Sequence, residues 1–358
     1  MIVVMQDKAT REEIVAVEEQ LKKNGFVPHR IEGTLIADTG QFFQLDGHGS
    51  EAGSGSGAHY ICAGAVNRGR INMGEKNLGY LGPRGTFSEE AALLYAAQHH
   101  RRLIEYPTIA AVLEQTCQGA LDEGIVPLEN SLEGGVGATL DLLAGLSGLY
   151  ICRELLYPVH HCLLGPQGLT LGSVRSVYSH PQALGQCRLF LEQNLAGAAC
   201  CPVESTAAAA ALVSKVSGAA AIAPRRAAAI YNLHLLAENI EDNTENVTRF
   251  VIASRKDHEP TGRDKTSLVL AVPDGPGRLY HILGFFARAA VNLTRIESRP
   301  AKRSLGDWLF FIDCEGHRLD PAMERLWCDL SREVPFLKLL GSYPMAPSLH
   351  NQGPDREA

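Results

Sequence analysis

Glu241-Asp242-Asn243-Thr244-Glu245-Asn246-Val247-Thr248-Arg249-Phe250-Val251-Ile252-Ala253 begins polar and turn-rich and ends apolar. That is the pattern of a loop feeding a strand. Asn246, Thr248 and Arg249 bring an amide, a hydroxyl and a guanidinium within four residues. A threonine hydroxyl donates or accepts but is not ionised at neutral pH, and the arginine fork matches a planar carboxylate. Alone, such a loop is ordinary turn chemistry. The chain on either side gives it weight.

Upstream, from Leu78, strands and helices alternate in the α/β manner. Leu78–Leu81 reads as a strand, and Gly82-Pro83-Arg84-Gly85-Thr86-Phe87-Ser88-Glu89 as a turn into a helix ending near His100. Thr86 and Glu89 have capping-box spacing. The strand Gly124–Leu128 leads to Glu129-Asn130-Ser131, and a helix is expected around Thr139–Leu146. Val174–Tyr178 runs through Ser179-His180-Pro181-Gln182 into a helix reaching about Asn194. Cys201-Pro202-Val203-Glu204-Ser205-Thr206 precedes an alanine-rich helix, and Ala219–Ala223 is a short strand before another helix. Helix amino termini offer unpaired N–H groups and partial positive charge, and ligands of open α/β sheets gather beyond the strand carboxyl ends. Several such junctions facing one cleft suit a small acid with more than one carboxylate. Each junction alone also reads as a plain helix cap.

The whole chain has 358 residues, enough for two or three domains. An apolar content of 45% and a charged content of 20% fit a soluble globular protein. The net charge of −7 weighs against nucleic acid and anionic membranes as partners. No apolar run is long enough to span a bilayer, and Met1–Asp7 lacks the features of a signal peptide. The nine cysteines include no Cys-x-x-Cys pair, so neither a zinc site nor a disulfide framework is indicated. Reduced thiols in a cytoplasm are expected.

Two further segments flank this region. Residues 1–45 begin with the strand Ile2–Met5, then a capping box at Thr10–Glu13 and apolar Ile14, Val17 and Leu21 at helical spacing. With Val27–Ala37 as a strand or hairpin, this is half of a ferredoxin-like unit. Residues 46–77, with Gly53-Ser54-Gly55-Ser56-Gly57, read as a flexible linker, and 257–264 as a second one. Residues 265–346 read βαββαβ, a full ferredoxin-like α+β unit, followed by a polar tail over 347–358.

Assembled, these segments resemble a prephenate dehydratase with a carboxy-terminal ACT regulatory domain. The resemblance spans roughly 78–343 and rests on Gly79-Tyr80-Leu81-Gly82-Pro83-(x)-Gly85-Thr86-Phe87-Ser88, Val126–Ser131, Ser179–Cys187, Glu204–Ala207, Asn246–Phe250 and Glu297-Ser298-Arg299-Pro300, in family order. It implies a two-lobed catalytic domain over 78–256, similar to periplasmic solute-binding proteins. Lobe 1 would take about 78–155 and 236–256, and lobe 2 about 156–235, with Thr248 beside the cleft. Residues 1–45 resemble the appendage of some DAHP synthases, without a catalytic motif.

The implied reaction turns prephenate into phenylpyruvate, water and carbon dioxide, with no metal or organic cofactor. By resemblance Thr248 is the leading catalytic residue, hydrogen-bonded to the leaving hydroxyl. Glu204 is a candidate nearby carboxyl, or else a solvated or capping glutamate. Asn130, Ser131, Ser179, Gln186 and Phe250 match substrate-pocket positions, and Thr86, Ser88 and Arg249 are candidate carboxylate anchors. Arg249 reads equally as a structural ion-pair partner. His160, His161 and His180 are read as core or surface residues. In the ACT part, Gly277, Leu279, Glu297, Ser298, Arg299 and Pro300 match the effector motifs, implying feedback by L-phenylalanine. Arg278 stands where the family usually has alanine. ACT units usually pair edge to edge, so a homodimer or homotetramer is expected. Arogenate dehydratase is the rival enzyme reading, and a silent amino-acid-binding regulator the rival outside catalysis.

Overall fold

The computed structural model describes residues 2–4, 28–31, 34–37, 75–301 and 308–347. Residues 1–74 and 75–358 form two separate units. In the first, β1 (Ile2–Val4), β2 (Pro28–Ile31) and β3 (Thr34–Ala37) make an antiparallel sheet in the order β1-β3-β2. β1 lies within the strand expected over Ile2–Met5, and β2 and β3 within the strand or hairpin expected over Val27–Ala37. The helix expected between them, the Gly-Ser linker over 46–74 and the tail beyond 347 lie outside the described residues.

The second unit begins with β4 (Lys76–Leu81), two residues earlier than the sequence suggests. Helix α1 (Phe87–His99) follows, with the Thr86 hydroxyl accepting the Glu89 N–H as its cap. Then come β5 (Arg101–Tyr106) and α2 (Ile109–Gln118), capped by Thr108 and closed by Gly119 in the left-handed region. Strand β6 (Glu123–Asn130), the short β7 (Gly134–Gly135), α3 (Gly137–Gly145) and β8 (Tyr150–Pro158) complete the outward half of lobe 1.

Lobe 2 contains β9 (Cys162–Gly165), β10 (Ser176–Ser179), α4 (Pro181–Gln186), α5 (Arg188–Asn194) and β11 (Ala199–Pro202). It continues with α6 (Thr206–Val213), β12 (Ala219–Ala223), α7 (Arg225–Tyr231) and β13 (His234–Ala237). The small side chains of Ala207, Ala209 and Ala210 on α6 are fully buried, as are all residues of β12, so helix and central strand pack closely. The single helix expected after Pro181 is broken at Cys187. Asp242, arriving from the loop after β13, donates its N–H to the Gln186 carbonyl and accepts the Leu189 N–H at 3.0 Å, starting a new helix there.

The chain returns to lobe 1 as β14 (Val247–Ser254). The lobe 1 sheet has the order β5-β4-β6-β14-β8, and the lobe 2 sheet β11-β10-β12-β9-β13. Each has three parallel strands on one side and antiparallel partners on the other. In each, the first parallel strand lies between the other two, so the connections diverge at β4 and at β10.

The last domain is β15 (Asp264–Val272), α8 (Arg278–Arg288), β16 (Leu293–Pro300), β17 (Trp308–Glu315), α9 (Pro321–Glu333) and β18 (Phe336–Pro344). Its sheet order is β16-β17-β15-β18. Gly277 adopts φ +76 at the start of α8, a conformation that suits glycine. The polar segment before β15 is docked. Asp257 accepts the Ser342 N–H, and the buried Asp264 carboxylate accepts the N–H groups of Thr261 and Gly262.

This domain shares a core with lobe 1. Ile151, Val251 and Ala253 pack in one apolar cluster with Val269, Phe311, Leu340 and Tyr343. Lys338 on β18 donates its ammonium to the carbonyls of Leu143, Ala144 and Leu146 at the end of α3, where a cation complements the helix dipole. Gly341 has φ +147, and a Cβ there would be driven into the Ile151 backbone. Gly341→Ala is expected to destabilise the chain by about 1–3 kcal/mol, read as a lowered urea midpoint.

Candidate active site

The cleft lies where the two switch points face each other, the usual ligand position in open α/β sheets. It encloses about 290 Å³. Lobe 1 supplies Leu81 and Thr86, Phe87 and Ser88 beyond β4, Pro127 and Asn130 on β6, and Thr248 and Phe250 on β14. Lobe 2 supplies His180, Gln182, Ala183 and Gln186 beyond β10, and Glu204, Ser205 and Thr206 beyond β11. Val159, His161 and Asn246 line it from the two crossing segments. The lobes are also tied outside the cleft. Arg226 on α7 meets Glu89 on α1 at 2.9 Å, and the Tyr231 hydroxyl donates to the Arg84 carbonyl.

One hydrogen-bond network organises the polar wall. Asn130 Oδ1 accepts the N–H groups of Leu132 and Glu133, which fixes its amide orientation. Its Nδ2 therefore donates, to Thr248 Oγ1 at 3.0 Å and to Asn246 Oδ1 at 2.8 Å. Asn246 Nδ2 in turn donates to Gln186 Oε1 at 3.1 Å, which also meets His161 Nε2 at 3.0 Å. That shared acceptor puts the His161 proton on Nε2. Burial holds the His161 imidazole below its ordinary pKa, against the opposing pull of Gln186 and Glu241, so it is neutral near pH 7.

Of the residues expected in the pocket, Thr86, Ser88, Asn130, Gln186, Glu204, Thr248 and Phe250 line the cleft, and three others do not. The Ser179 hydroxyl is fully buried and donates to the Ile222 carbonyl at 2.6 Å. Ser131 Oγ accepts the Val247 N–H at 3.0 Å, pinning the loop before β14. Arg249 is turned to the opposite sheet face. Its Nε donates to Glu154 at 2.8 Å, its Nη1 to Asp313 at 2.5 Å and its Nη2 to the Tyr343 hydroxyl at 2.7 Å. Strand alternation is the reason: Thr248 and Arg249 are neighbours, so only one can enter the cleft. Of its two sequence readings, the structural ion pair is the one realised. His161 and His180 do line the cleft, whereas His160 pairs with Glu241 at 2.7 Å. His180 Nδ1 also accepts the Gln182 N–H as the cap of α4. Asn246, Gln182, Ser205 and Thr206 were legible as members of quoted motifs but not as site residues.

Among the described residues the lining carries no Lys or Arg. The donors it offers are the N–H groups at the starts of α1 and α6 and neutral hydroxyls and amides. Among the described residues no His, Cys, Asp and Glu cluster fits a metal ion, and no helix is long and apolar enough to cross a membrane.

Residues 78–258 match the family described as prephenate dehydratase, and residues 266–326 match the ACT domain. The chain belongs to the prephenate dehydratase family. It is 41% identical to a bifunctional chorismate mutase/prephenate dehydratase of Aquifex aeolicus, over 75% of this chain and 73% of that one. A prephenate dehydratase from Arthrobacter aurescens, solved in complex with L-Phe, superposes with TM-score 0.70 at 38% identity, covering 76% of this chain and 92% of that chain. GqqA, described as a novel type of quorum quenching acylase, has TM-score 0.68 at 33% identity, covering 76% of this chain and 99% of that one.

In this dehydratase-family chain, the effector-motif strand β16 rests against the catalytic lobe. Arg299 pairs with Asp141 on α3 at 3.2 Å, and a Cβ on Gly137 would meet the Arg299 guanidinium. Glu297 lies against Gly135 and pairs with Arg295. Ser298 and Pro300 stand opposite Phe310 and Trp308 on β17. Leu279 packs into the core of the ACT domain, and Arg278 is exposed on α8.

The Arg249 cluster gives an acid-sensitivity prediction. Burial alone would raise the Asp313 pKa, but Arg249, Arg295 and the Ser267 hydroxyl outweigh it and hold the carboxyl below its ordinary range. A depressed folded-state pKa adds stability above the unfolded value of about 3.9 and loses it as pH falls through the folded value. Asp313→Asn is expected to cost about 3–5 kcal/mol near neutral pH, because Arg249 is left short of a partner. The gap between parent and variant should then narrow below about pH 4, measured by urea midpoints against pH.

Proposed function

We propose that the chain converts prephenate to phenylpyruvate, carbon dioxide and water, and that L-phenylalanine acting on the ACT domain regulates it. In this reaction the ring C–O bond breaks and hydroxide leaves with a proton as water. The ring carboxylate leaves as carbon dioxide, its bonding electrons entering the ring, which becomes aromatic. The observation that carries the reading is the Asn130–Thr248 hydrogen bond at the wall of a cleft whose described lining has no Lys or Arg. Asn130 fills an acceptor site on the Thr248 oxygen, leaving the threonine proton free to turn toward the leaving hydroxyl. A threonine is too weak an acid to be the final proton source, and Glu204 on the opposite wall is the candidate for that part. Ser88 at the start of α1, with Ser205 and Thr206 at the start of α6, hold the substrate carboxylates through hydroxyl and backbone donors, while the Thr86 hydroxyl donates to the Pro83 carbonyl at 3.0 Å and caps α1 at the cleft edge. Gln186 and Phe250 shape the pocket around the ring. Strand β16 has one neighbour in its sheet, β17, among the described residues, which suits edge-to-edge pairing of ACT domains in a homodimer or homotetramer.

Thr248→Ala is expected to lower kcat by about 100-fold or more while the fold persists. Phenylpyruvate formation from prephenate, with and without L-phenylalanine, measures both activity and regulation. The product has to be read directly, because GqqA carries a different activity on a similar fold. A parent that makes no phenylpyruvate but acts on arogenate would replace the substrate assignment.

A further inference from the structure

We propose that Glu129, Arg249 and Arg295 are positioning residues that tie the Thr248–Asn130 pair to the effector motif of the ACT domain. The inference rests on the dehydratase reading of the cleft. Strands β6 and β14 pair antiparallel with Thr248 opposite Asn130 and Arg249 opposite Glu129. Side chains of paired residues share a face, and consecutive residues alternate faces. The Thr248–Asn130 pair thus enters the cleft, while the Arg249–Glu129 pair, one residue along on each strand, faces the ACT domain. The register shifts immediately after Arg249, so this step is a local irregularity in the ladder.

The two members of the outer pair are held very differently. Arg249 is anchored by short hydrogen bonds to Glu154, Asp313 and Tyr343. Glu129 lies between two guanidinium groups, 3.6 Å from Arg249 Nη1 and 3.2 Å from Arg295 Nε. The Arg295 Nε contact is too bent to be a hydrogen bond, so it is Coulombic. Arg295 also pairs with Glu297, the first residue of the effector motif two positions along β16. Glu129 and Glu297 therefore share one guanidinium. An amino acid whose ammonium engages Glu297 weakens that carboxylate's hold on Arg295 and leaves Arg295 to Glu129. Glu129 is the backbone neighbour of Asn130, whose amide sets the Thr248 hydroxyl, so a pull on Glu129 that reaches its backbone is felt at Asn130.

A second contact converges on the same point. Glu297 and Arg299 rest on Gly135, Gly137 and Asp141. That segment follows Leu132 and Glu133, whose N–H groups orient Asn130. The effector strand thus contacts the chain on both sides of Asn130, at Glu129 and at Gly135.

The test compares the full-length parent with Arg295→Met and Glu129→Gln, each against its own phenylalanine-free state. L-phenylalanine binding is measured by calorimetry, and hydrogen exchange is followed over 128–136 and 246–250. The parent is expected to change exchange in both segments on binding L-phenylalanine. Both variants are expected to bind it still, with the exchange response and any inhibition of turnover reduced at least about 5-fold. A parent that binds without altering these segments, or variants that respond as the parent does, would overturn the proposal, as would a parent that does not bind phenylalanine. The exchange readout needs no turnover. A coupled exchange response in a parent that makes no phenylpyruvate would support the coupling and overturn only the dehydratase reading.

Discussion

A guanidinium buried as deeply as Arg249, which is 8% exposed, needs anionic partners within reach, because an unpaired charge taken out of water costs several kcal/mol. Its partners come from three strands: Glu154 on β8, Asp313 on β17 and Tyr343 on β18. Lys265 completes Glu154 from β15, and Arg295 reaches Glu129 from β16. Arg249, Lys265 and Arg295 thus face Glu129, Glu154 and Asp313, and the charges balance across the domain boundary. The apolar contacts around Tyr343 continue the same boundary. Polar and apolar packing both require the ACT sheet to sit on the lobe 1 sheet, so the regulatory domain cannot lift away without exposing Arg249.

Much of this architecture is local and could be read from the chain. Thr86 and Ser205 cap their helices, and Ala219–Ala223 is a buried strand, because caps and short apolar runs act over a few residues. Thr248 and Asn130 were readable through their motifs, though not through their mutual hydrogen bond 118 residues apart. What escaped was set from a distance. Tyr150–Pro158 shows no clean alternation, because α1 packs on one face of its sheet and the ACT domain covers the other. Strand β5 and helix α2 lie between the motifs that the sequence makes legible, and the break at Cys187 is imposed by Asp242. Ser131 and Ser179 carry the right chemistry but spend it on backbone groups. The fate of Arg249 was partly legible, since period-two alternation forbids it the face that Thr248 takes.

Turning Arg249 away has a chemical counterpart in the cleft. A reaction that expels carbon dioxide must let one carboxylate lose its charge. A guanidinium paired to that carboxylate would stabilise the charged ground state more than the transition state, and such binding slows the step. Backbone N–H groups, hydroxyls and amides hold an anion less tightly and can be apportioned between a carboxylate that stays and one that departs. Among the described residues the cleft lining offers this set of donors and no Lys or Arg. The arginine beside Thr248 therefore serves two ends by facing outward. It joins the regulatory sheet to the catalytic one, and in the proposed reaction it adds no fixed counter-charge beside the departing carboxylate.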